Sequence, residues 1–202
     1  MNRQVELKTA VSNQPVEARA TEGGAAHGID LARIWTAKGY GWQTMATDAV
    51  ASLIVRPTTV AMGTFYNNTS KNFVIERVFS HLLVSIANSE SGLWLCMHPI
   101  GMTAPTNDIT VRNSTIGLAA GTEGIFDNGA AVLDNGWFPW GESRPVVTAT
   151  KPGGLLQALV AGCLIVKPTA AISIQVVSTT AVVTACVGLH YFSVPTSDLA
   201  LG

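Results

Sequence analysis

From Val50 onward apolar and polar positions fall into short runs rather than helical stripes. Val50-Ala51-Ser52-Leu53-Ile54-Val55-Arg56 predicts a strand stopped by Pro57, and Val60 to Tyr66 a second, stopped by Asn67-Asn68. Phe73 to Ala87 predicts a long third strand, with Asn88-Ser89-Glu90-Ser91 as a turn cluster, and Gly92 to His98 a fourth strand stopped by Pro99. Later runs are Asp108 to Arg112, Ala130 to Leu133, Trp137 to Trp140, Pro145 to Thr150, Leu155 to Val166, Ile172 to Val177 and Val182 to Val194. No long window has helical periodicity with caps. About eight to eleven short strands separated by Pro, Gly and Asn predict an all-β fold, an antiparallel β-sandwich of jelly-roll-like kind.

The first part of the chain reads differently. Residues 1–28 are polar, include Gly23-Gly24, and lack the apolar side chains to pack alone. Asp30 is placed to cap a short helix through Ile34 or Trp35. Gly39, Tyr40, Gly41 and Trp42 then suggest an irregular segment that docks. The expected organisation is an extended N-terminal arm over 1–48, a sandwich domain over 49–195 and a tail over 196–202.

The turn at Ser89-Glu90 predicts a hairpin. A two- or four-residue loop makes Ile86 face Leu93, Val84 face Leu95 and Leu82 face Met97 on one side. On the other, Ser85 faces Trp94, Leu83 faces Cys96 and His81 faces His98. Both faces are largely apolar, so this hairpin should be covered on both sides, by a second layer or by another subunit.

Composition sharpens that expectation. Apolar residues make up 48% of the chain, which is ordinary, but charged residues only 12%, about half the usual share of roughly 25%. Such a surface is weakly defended against association. The net charge of -1 and pI of about 6.4 give no basic patch for nucleic acid. From Ala170 to Phe192 no residue is charged, long enough for a membrane helix. Its Ser, Gln and Thr residues and its Ile/Val/Thr bias instead favour two strands joined at Ser178-Thr179-Thr180. The N-terminus carries no apolar stretch of the secretory kind. The sequons at Asn67, Asn68 and Asn113 then carry little weight. Cys96, Cys163 and Cys186 lie among apolar neighbours and read as buried, reduced thiols.

The residues that could carry chemistry are few. His81 opposite His98, with Cys96 near, resembles a metal site but lacks the third or fourth ligand that zinc needs; a histidine pair at an interface is the better reading, and one that acid would weaken. No Gly-x-Ser-x-Gly elbow is present, and the acidic residues are scattered through predicted loops at Glu123, Asp127, Asp134 and Glu142. Gly121-Thr122-Glu123-Gly124 lacks the Lys of a phosphate-binding loop. Asp134-Asn135-Gly136-Trp137-Phe138-Pro139-Trp140-Gly141 is the densest aromatic cluster. Trp137 and Trp140, with Phe138 between them, either form a stacking platform for sugar or a protein partner, or plug one end of the fold. The expectation is a non-enzymatic protein without cofactor or metal, with Trp137, Phe138, Trp140, His81 and His98 as possible interaction residues.

Phe73-Val74-Ile75-Glu76-Arg77-Val78-Phe79-Ser80-His81, Gly92-Leu93-Trp94-Leu95-Cys96-Met97-His98-Pro99 and Gly136-Trp137-Phe138-Pro139-Trp140-Gly141 resemble proteins encoded among tailed-bacteriophage structural genes. Cys163 to Pro168 and Ala170 to Val177 resemble the closing strands of jelly-roll virion proteins. The resemblance spans roughly residues 50 to 195 and carries no catalytic residues. It implies a capsid decoration or cement protein, assembled in the host cytoplasm and often trimeric. It would bind the major capsid protein or other virion proteins, and neither nucleic acid nor membrane. A carbohydrate- or surface-binding module of a head fibre or tail, using Trp137 and Trp140, is the alternative. A hydrolase on a β scaffold would need convergent carboxylates or a Ser-His pair.

Overall fold

The computed structural model describes residues 6–8, 15–17, 31–49, 51–52, 57, 61–84, 89–106, 109–129, 136–140, 144–145, 155–180 and 182–199. The chain is mostly antiparallel β, built around one long curled sheet. β1 (Glu6–Lys8) and β2 (Pro15–Glu17) form a separate small hairpin. The helix α1 (Leu31–Ala37) begins directly after Asp30. It ends where Gly39 takes a left-handed φ of 78° that a side chain would disfavour.

The remaining strands are β3 (Gly41–Ala49), β4 (Ala51–Ser52), β5 (Gly63–Tyr66), β6 (Asn72–Val84), β7 (Glu90–His98), β8 (Ile109–Asn113) and β9 (Gly121–Asp127). β10 (Trp137–Pro139), β11 (Arg144–Pro145), β12 (Leu155–Val166), β13 (Ala171–Ser178) and β14 (Thr184–Val194) complete them. Their order in the sheet is β10-β7-β13-β5-β9-β8-β3-β14-β6-β12, with β11 beside β7 and β4 beside β13. All pairings are antiparallel except β4 with β13.

The curl happens at β8. This short strand pairs with β9 on one side, through Ile109↔Phe126 and Val111↔Gly121. On the other it pairs with β3, through Trp42↔Asn113 and Gln43↔Arg112. The two halves of the sheet thereby face each other. Phe65, Leu93, Leu95, Phe126, Ile172 and Ile174 come from the first half, and Trp42, Phe73, Ile75, Leu82, Leu189 and Tyr191 from the second; together they fill one core. At its centre Phe65 stacks on Phe73 with ring centroids 5.5 Å apart and meets the Tyr191 ring at a tilt, 4.5 Å away. Burial of such side chains stabilises by roughly 1.5–3 kcal/mol each.

Three expectations change. β6 and β7 are not a hairpin. β6 pairs with β14 and β12, and β7 pairs with β13 and β10, so the two strands lie in opposite halves. A turn signal specifies that the chain reverses but not which strand it meets. β7 finds an unbroken ladder with β13, from Ala171↔His98 to Ser178↔Ser91. Second, Gly41–Ala49 is a strand inside the sheet rather than an irregular segment. Trp42, Thr44 and Ala46 are buried while Gln43, Met45 and Thr47 are exposed. Third, Gly121–Asp127 is a strand rather than a loop. The strand expected over Val50 to Arg56 is seen only at Ala51–Ser52, with 50 and 53–56 outside the described residues. The strand expected over Ala130 to Leu133, and Val146 to Thr150, also lie outside them. Ala170 to Phe192 divides into β13 and β14, and no described helix is long and apolar enough to cross a membrane.

Candidate interaction surface

The two halves of the sheet turn opposite faces outward, and the nominated residues divide between them. On the first half, ladder partners place Trp94, Cys96 and His98 of β7, Ser173 and Gln175 of β13, Thr64 of β5 and Trp137 of β10 on the face turned away from the core. That face is nevertheless closed. Thr64 and Ser173 have no exposed surface, Gln175 has 3% and His98 6%. The His98 imidazole Nε2 hydrogen-bonds the Ser173 hydroxyl at 2.8 Å, and that hydroxyl bonds Thr64 Oγ1 at 2.7 Å. Burial holds the His98 imidazole below its ordinary pKa, so it is neutral near pH 7. Burial likewise pushes the Cys96 thiol up to about 11, an inert thiol.

Trp137 sits here at 3% exposure, packed with Ala61, Cys96 and Trp94. Trp140 is half-buried against the main core, its backbone N–H donating to Leu93 O at 3.0 Å. Phe138 and Pro139 between them are exposed. The two indoles therefore do not make an open stacking platform. Gly136 permits this seating, since a Cβ there would lie 2.7 Å from the Cys96 sulfur.

His81 is on the other half. It stands in register with Cys186 of β14 and Leu155 of β12, while His98 stands opposite Ala171. The expected histidine pair does not form, because the hairpin that would create it is absent. Among the described residues no three His, Cys, Asp or Glu side chains converge. Of the cysteines, Cys96 and Cys186 are buried, but Cys163 is exposed, contrary to expectation.

Along β3 and the end of β6 the outer face of the second half is open. β3 exposes Gln43, Met45 and Thr47, and the end of β6 exposes Leu83 and Val84. Phe79 and His81 are half-buried between them. Gly188 lets the Phe79 ring lie over β14: a Cβ there would strike the Thr44 carbonyl and lie 2.6 Å from that ring. The Arg77 guanidinium donates to His190 Nδ1 at 3.2 Å. Burial first, and the Arg77 charge second, lower the His190 pKa.

α1 covers the far end of this face, where Trp35 meets Phe192 at 5.4 Å and Lys38 bonds Asp198 at 3.0 Å. Beside α1, Thr115 Oγ1 donates to Thr36 O at 2.7 Å and Asn113 Nδ2 to Gly39 O at 2.7 Å. A shallow cavity of about 410 Å³ lies along Ala32, Arg33, Thr36, Ala37 and Thr115. Ile116 in that loop is fully exposed, and Leu31 and Leu118 are more than half exposed.

One polar knot carried no sequence signal. Glu123 on β9 accepts from Lys71 Nζ at 2.6 Å and from Ser193 Oγ at 2.5 Å, and its carbonyl accepts from the Tyr191 hydroxyl. Burial and then the Glu123 charge raise the Tyr191 pKa well above its ordinary value. Both carboxylate oxygens are engaged, so Glu123 pins β9 to β14 rather than offering a free base. The Asn67 sequon is likewise structural. Its buried amide donates to Lys71 O and Val166 O, each at 2.8 Å, and accepts from Thr69 N–H at 3.0 Å.

No protein-family model and no curated protein matches this sequence.

Proposed function

We propose that this protein is a non-enzymatic structural component of a virus particle, a capsid decoration or cement protein of jelly-roll kind, that self-associates and binds neighbouring capsid subunits. The observation that supports this reading most is the open outer face of the second half. It carries Met45, Phe79, Leu83 and Val84, and belongs to a chain with few charges to oppose contact. Ile116, Leu31 and Leu118 add exposed apolar area beside α1. At roughly 25 cal/mol per Å² of apolar area, such a surface supplies a contact driven by burial rather than by ion pairing. An obligate contact of this type buries more than about 2,000 Å².

The glycan-binding alternative lacks its platform, since Trp137 is closed in and Trp140 half-closed. Light scattering on the purified protein tests the proposal. A stable homo-oligomer is the expected result; a monodisperse monomer at every concentration contradicts it.

A further inference from the structure

The two ends of the curled sheet are built differently. At one end β10 is three residues long and closes on Pro139, and β11 beside it is Arg144–Pro145. Short strands, prolines and a charge are the ordinary means by which a sheet edge is made unfit to pair. At the other end β12 runs for 12 residues, Leu155 to Val166, without a charge or a proline. Among the described residues it pairs with β6 along one side, and no strand lies along the other. A long apolar edge with an unpaired row of N–H and C=O groups is a template for another extended chain.

One feature limits where that pairing runs. The β12–β6 register jumps between Leu159 and Leu164, so the unbroken run is Leu155–Leu159, opposite His81–Arg77. We propose that this run is a self-recognition edge, where β12 pairs antiparallel with β12 of a second copy about a two-fold axis at Gln157. Full use of the run allows one register only: Leu155 meets Leu159, Leu156 meets Ala158, and Gln157 meets itself. The pairing is self-complementary, as a two-fold contact requires, and sets no charge against a like charge. It extends β3-β14-β6-β12 into the same strands of the second copy. This inference rests on the self-associating reading above and names a contact for it. A two-fold contact closes at two copies; the trimer implied by the phage resemblance would be held by a separate head-to-tail contact, and the β12 pairing would then join two trimers.

The test is directed disulfide trapping in the full chain. Cys163 is replaced by Ser, since it is exposed, while Cys96 and Cys186 are buried. Gln157→Cys in that background is oxidised with oxidised glutathione and compared with Thr103→Cys, an exposed loop position. Facing thiols sit at a far higher effective concentration than thiols that meet by diffusion, so Gln157→Cys should form a covalent dimer about a hundredfold faster. Equal rates overturn the inference. Should Gln157→Cys fold poorly, hydrogen exchange on the unaltered protein decides. A one-sided edge strand leaves every second amide unbonded. Protection of all the amides from 155 to 159, lost on dilution and lost in Gln157→Lys, supports the pairing; alternating protection at every concentration overturns it. An oligomer without trapping at 157 sinks the β12 contact alone, whereas a monomer throughout sinks the self-association reading itself.

Discussion

The outer faces of the two sheet halves teach different lessons. On the first half, a face rich in Thr, Ser, Gln and His is sealed within the chain, and three of its polar groups, on Thr64, Ser173 and His98, bond one another. On the second, a face with Met45, Leu83 and Val84 lies open. Polarity alone would have predicted the reverse. A buried hydroxyl or imidazole is tolerated where a partner is in reach, as Thr64, Ser173 and His98 show. An apolar residue in water costs little by itself and becomes informative when several share one flat surface. The sealed face also holds two unpaired groups, Trp137 Nε1 and Gln175 Oε1, which find no hydrogen-bond partner among the described residues.

The largest effect should come from Trp137→Ala. Removing a buried indole ordinarily costs about 3–5 kcal/mol, whereas Met45→Ala on the open face should stay within about 0.5 kcal/mol. Urea unfolding of the two variants checks this, and equal losses would erase the distinction between the faces. Next in size is Ser173→Ala. It leaves His98 Nε2 and the Thr64 hydroxyl each short of a buried partner, a loss of about 1–3 kcal/mol. Thr47→Ala, from the exposed row of β3, should be nearly neutral by the same assay.

The smallest effect is in pH. His98 has a folded pKa below its unfolded value, so the unfolded chain binds the proton first. Stability is therefore complete above the ordinary histidine range and falls as pH drops from about 6.5 toward the lowered folded pKa. His190 contributes in the same direction, held down by burial and Arg77. In melting curves from pH 8 to pH 5 (about the span over which histidine titrates), His98→Gln should lose part of that slope and keep the part due to His190. An unchanged slope would mean that the His98 ring is not enclosed.

Much of the strand content was legible. β12, β13 and β14 follow their apolar runs closely, and the helix begins at Leu31, directly after the Asp30 that predicts a start there. Partnership was not legible. The turn at Ser89-Glu90 predicts local pairing, yet β6 and β7 each join strands far along the chain. β3 is hidden in the sequence because the glycines beside Tyr40 and Trp42 suggest an irregular segment, and because Thr44 inside with Met45 outside inverts the alternation at its centre. The glycines and Glu123 of β9 look like a loop in the sequence; the carboxylate fits there only because Lys71 and Ser193 come to it from elsewhere. The aromatic cluster at Trp137 was visible in the sequence, but its inward destination depends on Cys96 and Trp94 across the β10–β7 ladder.

Hydroxyl-radical footprinting at low and high protein concentration tests the central claim most directly. Met45 should be oxidised in the dilute chain and shielded in the concentrated one, with Trp137 protected in both. Rapid modification of Trp137 in the dilute chain, or a Met45 rate indifferent to concentration, would contradict the account.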